Sequence, residues 1–325
     1  MKLFLQNRKA ELSTQQIVLI IILITSFAVI LFFLLRLGIG EKSEEQLCHN
    51  SVLQKASVFS EAPLQCYREY VCITEDGSCE KLIKPKKIKV KSLDEVYGNL
   101  ADEMANCWWM FGEGKVDYVG SDLTKNNYCS ICSQIYFDNS LENLEEIDSE
   151  GDSSGEDKKI SKDELYDYLA ENNYSKDQTY AEYLFGTSDI KKLKADILQY
   201  ENNTEDLGSF GNIEIGKQYF NVMGITSSIG WLEWSGVGAG AGAAVIGSVW
   251  VLSGPPGWIV GGLILVGGAI VGGTAGPGAG ELIEPEIGAI IIEGKSGNQF
   301  MAPTLQKAES NKFKALNCEE ILTYT

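Results

Sequence analysis

Nineteen consecutive residues without a charge, Ile17 to Leu35, constrain this chain more than any other feature. At 1.5 Å of rise per residue such a run makes a helix of about 28 Å, close to the ~30 Å hydrocarbon core of a bilayer. Lys2, Arg8 and Lys9 precede it against a single acid, Glu11, and behind Arg36 stand Glu41, Glu44 and Glu45. Basic residues stay on the cytoplasmic side of a membrane. That bias predicts a cytoplasmic tail over 1–15, a transmembrane anchor over 16–36 and an outside location for everything that follows. A cleavable signal peptide would carry a shorter apolar stretch of about 7–15 residues with a small-residue cleavage site behind it, so an uncleaved anchor is the expectation.

The cysteines agree. All eight follow the apolar run: Cys48, Cys66, Cys72, Cys79, Cys107, Cys129, Cys132 and Cys318. An even set in an oxidising compartment reads as up to four disulfides among about a hundred possible pairings. Cys129 and Cys132 also form a CxxC, the spacing tetrahedral zinc favours and some thiol oxidoreductases use. No second CxxC accompanies it, and YCSICSQIYF reads as a strand rather than a helix start. Disulfides are therefore expected, with zinc or redox chemistry at Cys129 and Cys132 as the rivals. Cys318 is expected to tie the C-terminal tail back to the early core.

Residues 37–137 form a cysteine-rich α+β ectodomain. Six lysines fall between Lys81 and Lys91 with no acid among them, and Lys86 to Lys91 alternates like a strand. This reads as the solvated face of one strand, with a patch for anionic partners as the alternative. Ser92-Leu93-Asp94-Glu95 is a capping box. Behind it Leu93, Val96, Tyr97, Leu100, Met104, Cys107, Trp108 and Phe111 recur at three- and four-residue steps until Gly112, predicting a helix with one core face.

From Asp138 to Phe210 there are 20 acids and seven lysines, 13 net negative charges in 73 residues. The first third is poor in apolar residues and reads as a loop. Helices are expected near 161–172, 176–185 and 188–200, within an acidic insertion spanning 138–210. Residues 150–164 resemble part of a calcium-binding EF-hand loop, but Ser153 and Lys158 stand where Asp and Gly are required. Calcium there is a weak expectation. Asn173 and Asn202 open glycosylation sequons.

A strand region, 211–230, leads into a second apolar segment. Between Glu233 and Glu281 lie 47 residues without charge, split by Gly254-Pro255-Pro256-Gly257. Each half is long enough for one crossing. Ala239, Ala243 and Gly247, then Gly268, Gly272, Gly276 and Gly280, stand four apart, as small residues do where helices approach closely in lipid. The expectation over 231–280 is a membrane-inserted helical hairpin, placed between strand-like flanks Ile213–Ile225 and Ile287–Ile292 that pair with one another. A C-terminal strand and tail, 281–325, returns to the core.

Two resemblances follow from particular residues. Lys9-Ala10-Glu11-Leu12-Ser13-Thr14-Gln15-Gln16-Ile17 resembles the archaeal class III (pilin-like) signal. That resemblance implies a cut between Ala10 and Glu11 and a helix that packs into a filament core. Glu11 replaces the family's usual Gln, and Gln15 stands where the family carries Glu. The blocks CWWMFGEG and YCSICSQI, with Cys318, resemble uncharacterised archaeal membrane-anchored proteins, which implies an extracellular domain and no particular chemistry.

His49 is the single histidine, so serine triads and cysteine–histidine dyads would all depend on it. With 27 basic and 45 acidic residues the formal charge is −18, the wrong sign for a general nucleic-acid binder. The sequence thus predicts a non-enzymatic, membrane-anchored surface protein without a cofactor. Its expected partners are membrane lipid and further copies or other surface proteins, through the glycine-rich hairpin. A pilin-like filament subunit and a thiol oxidoreductase at Cys129 and Cys132 are the alternatives.

Overall fold

A computed structural model describes residues 14–36, 43–57, 62–119, 127–145, 147, 158–190, 209–226, 259–266, 286–294, 298–310, 313–314, 316 and 318–324. The chain divides into two compact units, Met1–Glu44 and Glu45–Thr325.

The first unit is dominated by α1, Thr14–Arg36, a 23-residue helix. Its described side chains run without a break from Ile17 to Phe32, and all of them are exposed. Among the described residues, no helix is long and apolar enough to cross a membrane.

The second unit is α+β, with disulfides, as the sequence suggests. Its centre is an eight-stranded mixed sheet built from β1 (Glu69–Thr74), β2 (Lys86–Lys89), β3 (Tyr128–Phe137), β8 (Gln218–Thr226), β9 (Ile259–Val266), β10 (Glu286–Glu293), β11 (Gln299–Lys307) and β12 (Glu320–Ile321). The path is β2-β1-β3-β8-β11-β10-β9. β1 runs parallel to both β2 and β3, and every pairing from β3 to β9 is antiparallel. One side of β3 is shared: β12 runs parallel beside Tyr128 and Cys129, and β1 beside Ser133 to Phe137. β3 is buried on both faces, which is why its sequence is apolar and small almost throughout.

Helix α3, Leu93–Met110, covers one face of the sheet, packing on β3, β8 and β11. The spaced residues Val96, Tyr97, Leu100, Met104, Cys107, Trp108 and Phe111 are all buried. Ser92 caps it by accepting from the Glu95 amide. The capping box is half formed, because the Glu95 carboxylate accepts from the Lys91 amide instead of turning back to Ser92. Gly112 ends the helix at φ +78°, where a Cβ would collide with Val116. Helix α2, Ser43–Lys55, contributes buried Cys48 and Val52 to the same core.

The acidic segment is partly core. A short pair, β4 (Lys159–Ser161) with β7 (Asn212–Glu214), frames helix α4, Lys162–Glu171. A hairpin of β5 (Asn173–Ser175) and β6 (Gln178–Thr179) leads into α5, Tyr180–Phe185. Leu165, Leu169, Leu184, Phe185 and Phe210 join the main core cluster. Tyr166 stacks on Phe210 at 3.5 Å between ring centroids. The expected helix over 176–185 starts only at Tyr180, because Thr179 and Glu182 make a complete capping box there. That over 188–200 lies outside the described residues beyond Ile190.

The glycine-rich segment requires a correction. Residues 259–266, in the expected second helical arm, form strand β9, antiparallel to β10 from Val266 opposite Glu286 to Ile259 opposite Glu293. Four of its eight residues are β-branched, and Gly261 and Gly262 each weaken a helix by roughly 1 kcal/mol relative to alanine. Eight residues also suit a strand rather than a spanning helix. A second correction concerns the flanks. β8 and β10 do not pair with each other, since β11 lies between them and bonds to both.

Candidate functional site

All eight cysteines are paired: Cys48–Cys66, Cys72–Cys79, Cys107–Cys132 and Cys129–Cys318. The CxxC is split between two of these bonds. Residues three apart on a strand point to opposite faces, so Cys132 meets α3 in the main core and Cys129 meets the C-terminal tail in a smaller cluster. Neither thiolates for zinc nor a vicinal redox pair exist at Cys129 and Cys132, and both expectations fail on that geometry. Cys318 holds the tail as expected, with Leu322 donating its amide to the Cys129 carbonyl at 2.8 Å.

His49 is packed against Trp109. It stacks on Trp109 with centroids 4.1 Å apart, and its Nδ1 lies 2.7 Å from the Trp109 carbonyl oxygen. Among the described residues, Cys72, Cys79 and Asp138 form a group with metal-ligand spacing. The two sulfurs are bonded to one another, so the group offers one carboxylate. That carboxylate accepts from Ser78 Oγ at 2.7 Å and from the Ser140 amide at 3.0 Å. At the EF-hand-like stretch, Glu164 accepts from Tyr97 Oη at 2.7 Å and Ser161 caps α4. Residues 150–157 lie outside the described residues. So do Ala10, Glu11, Asn202, Ala239, Ala243, Gly247, Gly268, Gly272, Gly276 and Gly280. Asn173 is exposed on β5.

Two surface features emerge, and of these the sequence marked only the lysines of the second, as the solvated face of one strand or a patch for anionic partners. One is a pair of tyrosines that tie α5 to α3 and to the turn behind it through carboxylates. Tyr180 Oη donates to Asp102 at 2.5 Å and Tyr183 Oη to Glu113 at 2.7 Å. Tyr174 stacks on Tyr183 with centroids 4.1 Å apart. Burial and then the Glu113 hydrogen bond and charge raise the Tyr183 phenol well above its ordinary value, and burial with Asp102 does the same to Tyr180. These phenols stay protonated through the physiological range and act as donors.

The other feature is the loop before β2. Leu82 packs on the cluster of Cys72, Cys79 and Tyr136. Its neighbour Ile83 is 91% exposed, the most exposed large apolar side chain among those described. Lys84 holds φ at +51°, a conformation that non-glycine residues seldom adopt. Lys81 Nζ lies 5.5 Å from the Tyr136 ring centroid, and Lys87 Nζ donates to the Gly77 carbonyl at 3.1 Å. Lys86 bridges to Glu69 and Glu103 at 3.3 and 3.2 Å. Burial alone would lower the Lys86 pKa, but the charges of Glu103 and Glu69 outweigh it and raise it. Lys84, Lys89 and Lys91 are exposed. Only the flanking lysines hint at this site in the sequence; an apolar residue in a short loop reads equally as core.

No family model, curated protein or solved structure matches the chain.

Proposed function

We propose that this is a membrane-anchored surface protein whose second unit faces an oxidising compartment and works by contact rather than catalysis. The observation that carries the reading is the complete pairing of eight cysteines behind a helix that is free of charge up to Arg36 and whose described side chains are all exposed. Full oxidation suits an extracytoplasmic domain, and an exposed apolar helix suits lipid. Protease treatment of intact cells tests it. Cleavage within the acidic segment 138–210, with an α1-containing fragment that stays in the membrane pellet through alkaline carbonate washing, is the expected result. A chain that resists protease until cells are lysed, or that washes free of membranes, sinks it.

Exposure of α1 on all sides also supports a second reading, the pilin-like subunit. Helices of neighbouring copies would then replace lipid around α1. Sequencing the mature N-terminus separates the two: a start at Glu11 favours the filament subunit, and an intact N-terminus favours the plain anchor.

A further inference from the structure

We infer that the lysine-rich stretch Lys81 to Lys91, the loop before β2 together with β2, with Ile83 at its exposed tip, is a docking site for the surface of an anionic lipid bilayer. The inference deepens the anchored-surface reading and rests on it for the bilayer being within reach. Three observations carry it. First, the apolar tip is displayed rather than left over. Leu82 is pinned to the Cys72–Cys79 disulfide and Tyr136, so Ile83 has no core to enter and is 91% exposed. Second, the display is preorganised. The Cys72–Cys79 disulfide fixes the segment that leads into the loop, Pro85 limits the backbone before β2, and Lys87 Nζ donates to the Gly77 carbonyl across it. A rigid tip loses little entropy on docking.

Third, the charge is complementary. In a chain of formal charge −18, six lysines stand in eleven residues with no acid among them. Among the described residues, Lys86 alone of the six lies within salt-bridge range of carboxylates. Lys84, Lys89 and Lys91 are exposed, next to an isoleucine that fits the boundary between headgroups and acyl chains. A lysine near an anionic leaflet favours binding by roughly five-fold, falling off within a Debye length. An acidic protein surface would satisfy the lysines but would not call for an exposed apolar tip. The bilayer answers both.

The test uses the full chain with Ile83→Trp, reconstituted in nanodiscs of phosphatidylcholine with or without phosphatidylglycerol, acyl chains brominated to quench tryptophan. The signal is the difference from the parent chain, which has six tryptophans of its own. The expected result is strong quenching of Trp at 83 in the anionic discs. It should fall at least about five-fold in the neutral discs, and by as much when K84E and K89E are added. No quenching in either lipid overturns the proposal. So does equal quenching in both, or quenching indifferent to K84E/K89E. Protection of the loop by an acidic protein but not by lipid overturns it as well. All three substitutions lie on exposed side chains, so the fold is retained. The loop readout also stands apart from the anchor: a chain that fails to enter the discs sinks the anchored reading, and quenching by added brominated vesicles then still decides the loop.

Discussion

The two faces of the central sheet are covered by different means. On one, α3 lays 18 residues across β3, β8 and β11, with α4 and α5 behind it, and the cluster includes Trp108, Phe111, Tyr219 and Phe300. On the other, a short tail around Phe313, Leu316 and Cys318 covers Cys129, Ile131, Val222 and Met301. Each cover is stapled to β3, by Cys107–Cys132 and Cys129–Cys318 respectively. The staples are alike, but the apolar areas beneath them are not. Among the described residues the helix face buries the larger apolar cluster, so it is expected to hold without its disulfide and the tail face to depend on its own.

One of the two largest expected effects breaks the helix side. Trp108 is fully buried, with its ring edge-on to Phe300 at 6.0 Å. Trp108→Ala removes a large aromatic group from a site that a stapled helix keeps from collapsing, at a cost of about 3–5 kcal/mol in urea unfolding. Leu316→Ala, in the tail, should cost under about 2 kcal/mol, because a free-ended tail relaxes into the space. Equal losses at the two positions would erase the contrast between the faces.

Next comes the staple of the thin face. Cys129–Cys318 closes 189 residues, whereas Cys72–Cys79 closes seven. On chain entropy alone these constrain the unfolded state by about 5 and about 2 kcal/mol. Cys129→Ala with Cys318→Ala should therefore cost more than the matching change at Cys72 and Cys79. It should also accelerate hydrogen exchange at 316–324 while α3 stays protected. If α3 exchanges as fast as the tail, the two covers are one cooperative unit and the comparison is mistaken.

A smaller effect concerns what lies behind α3. The Tyr183 phenol has its pKa raised by burial and by Glu113, above an ordinary value of 10.0. Such a group keeps its proton in the folded chain at a pH where the unfolded chain has lost it. Its stabilisation is complete below about pH 10 and is lost as the pH rises further. Tyr183→Phe should cost about 1.5 kcal/mol at neutral pH, typical of a hydrogen bond to a charged group, and should flatten the alkaline limb of the stability curve. Urea midpoints from pH 7 to 11 check both; an unchanged alkaline limb would remove Tyr183 as its cause.

This contrast was half legible in the sequence. The helix face was readable because the period of α3, its cap and its glycine stop are local. The same holds for β2, and for Cys318 as a tether. What local pattern does not contain is partnership. Nothing in Cys129 and Cys132 says that one strand turns them to opposite faces and different partners. Tyr183 and Glu113 stand 70 residues apart, and no periodicity joins them. The run at 259–266 failed for another reason. Eight apolar and glycine residues suit either a buried strand or part of a helix, and the 47-residue charge-free setting favoured the longer element. The β10 partner that decides it lies at 286–293. Ile83 was invisible because exposure is a tertiary property.

The smallest effect sharpens the comparison, because the two covers begin with the same chemistry. Ser92 accepts from the Glu95 amide at 3.2 Å at the start of α3, and Ser310 accepts from the Phe313 amide at 3.0 Å at the start of the tail turn. Both are serines bonding an amide three residues on, but one caps 18 helical residues and the other a single turn that ends with Leu316 donating to Phe313. A cap stabilises the whole protein only as far as the element it starts is coupled to the core. Ser92→Ala should cost about 1 kcal/mol of global stability. Ser310→Ala should leave the urea midpoint nearly unchanged while speeding exchange at Leu316. A global cost at Ser310 matching that at Ser92 would mean that the tail turn is as firmly part of the core as the helix, and that the second face is not thin in energy although it is thin in area.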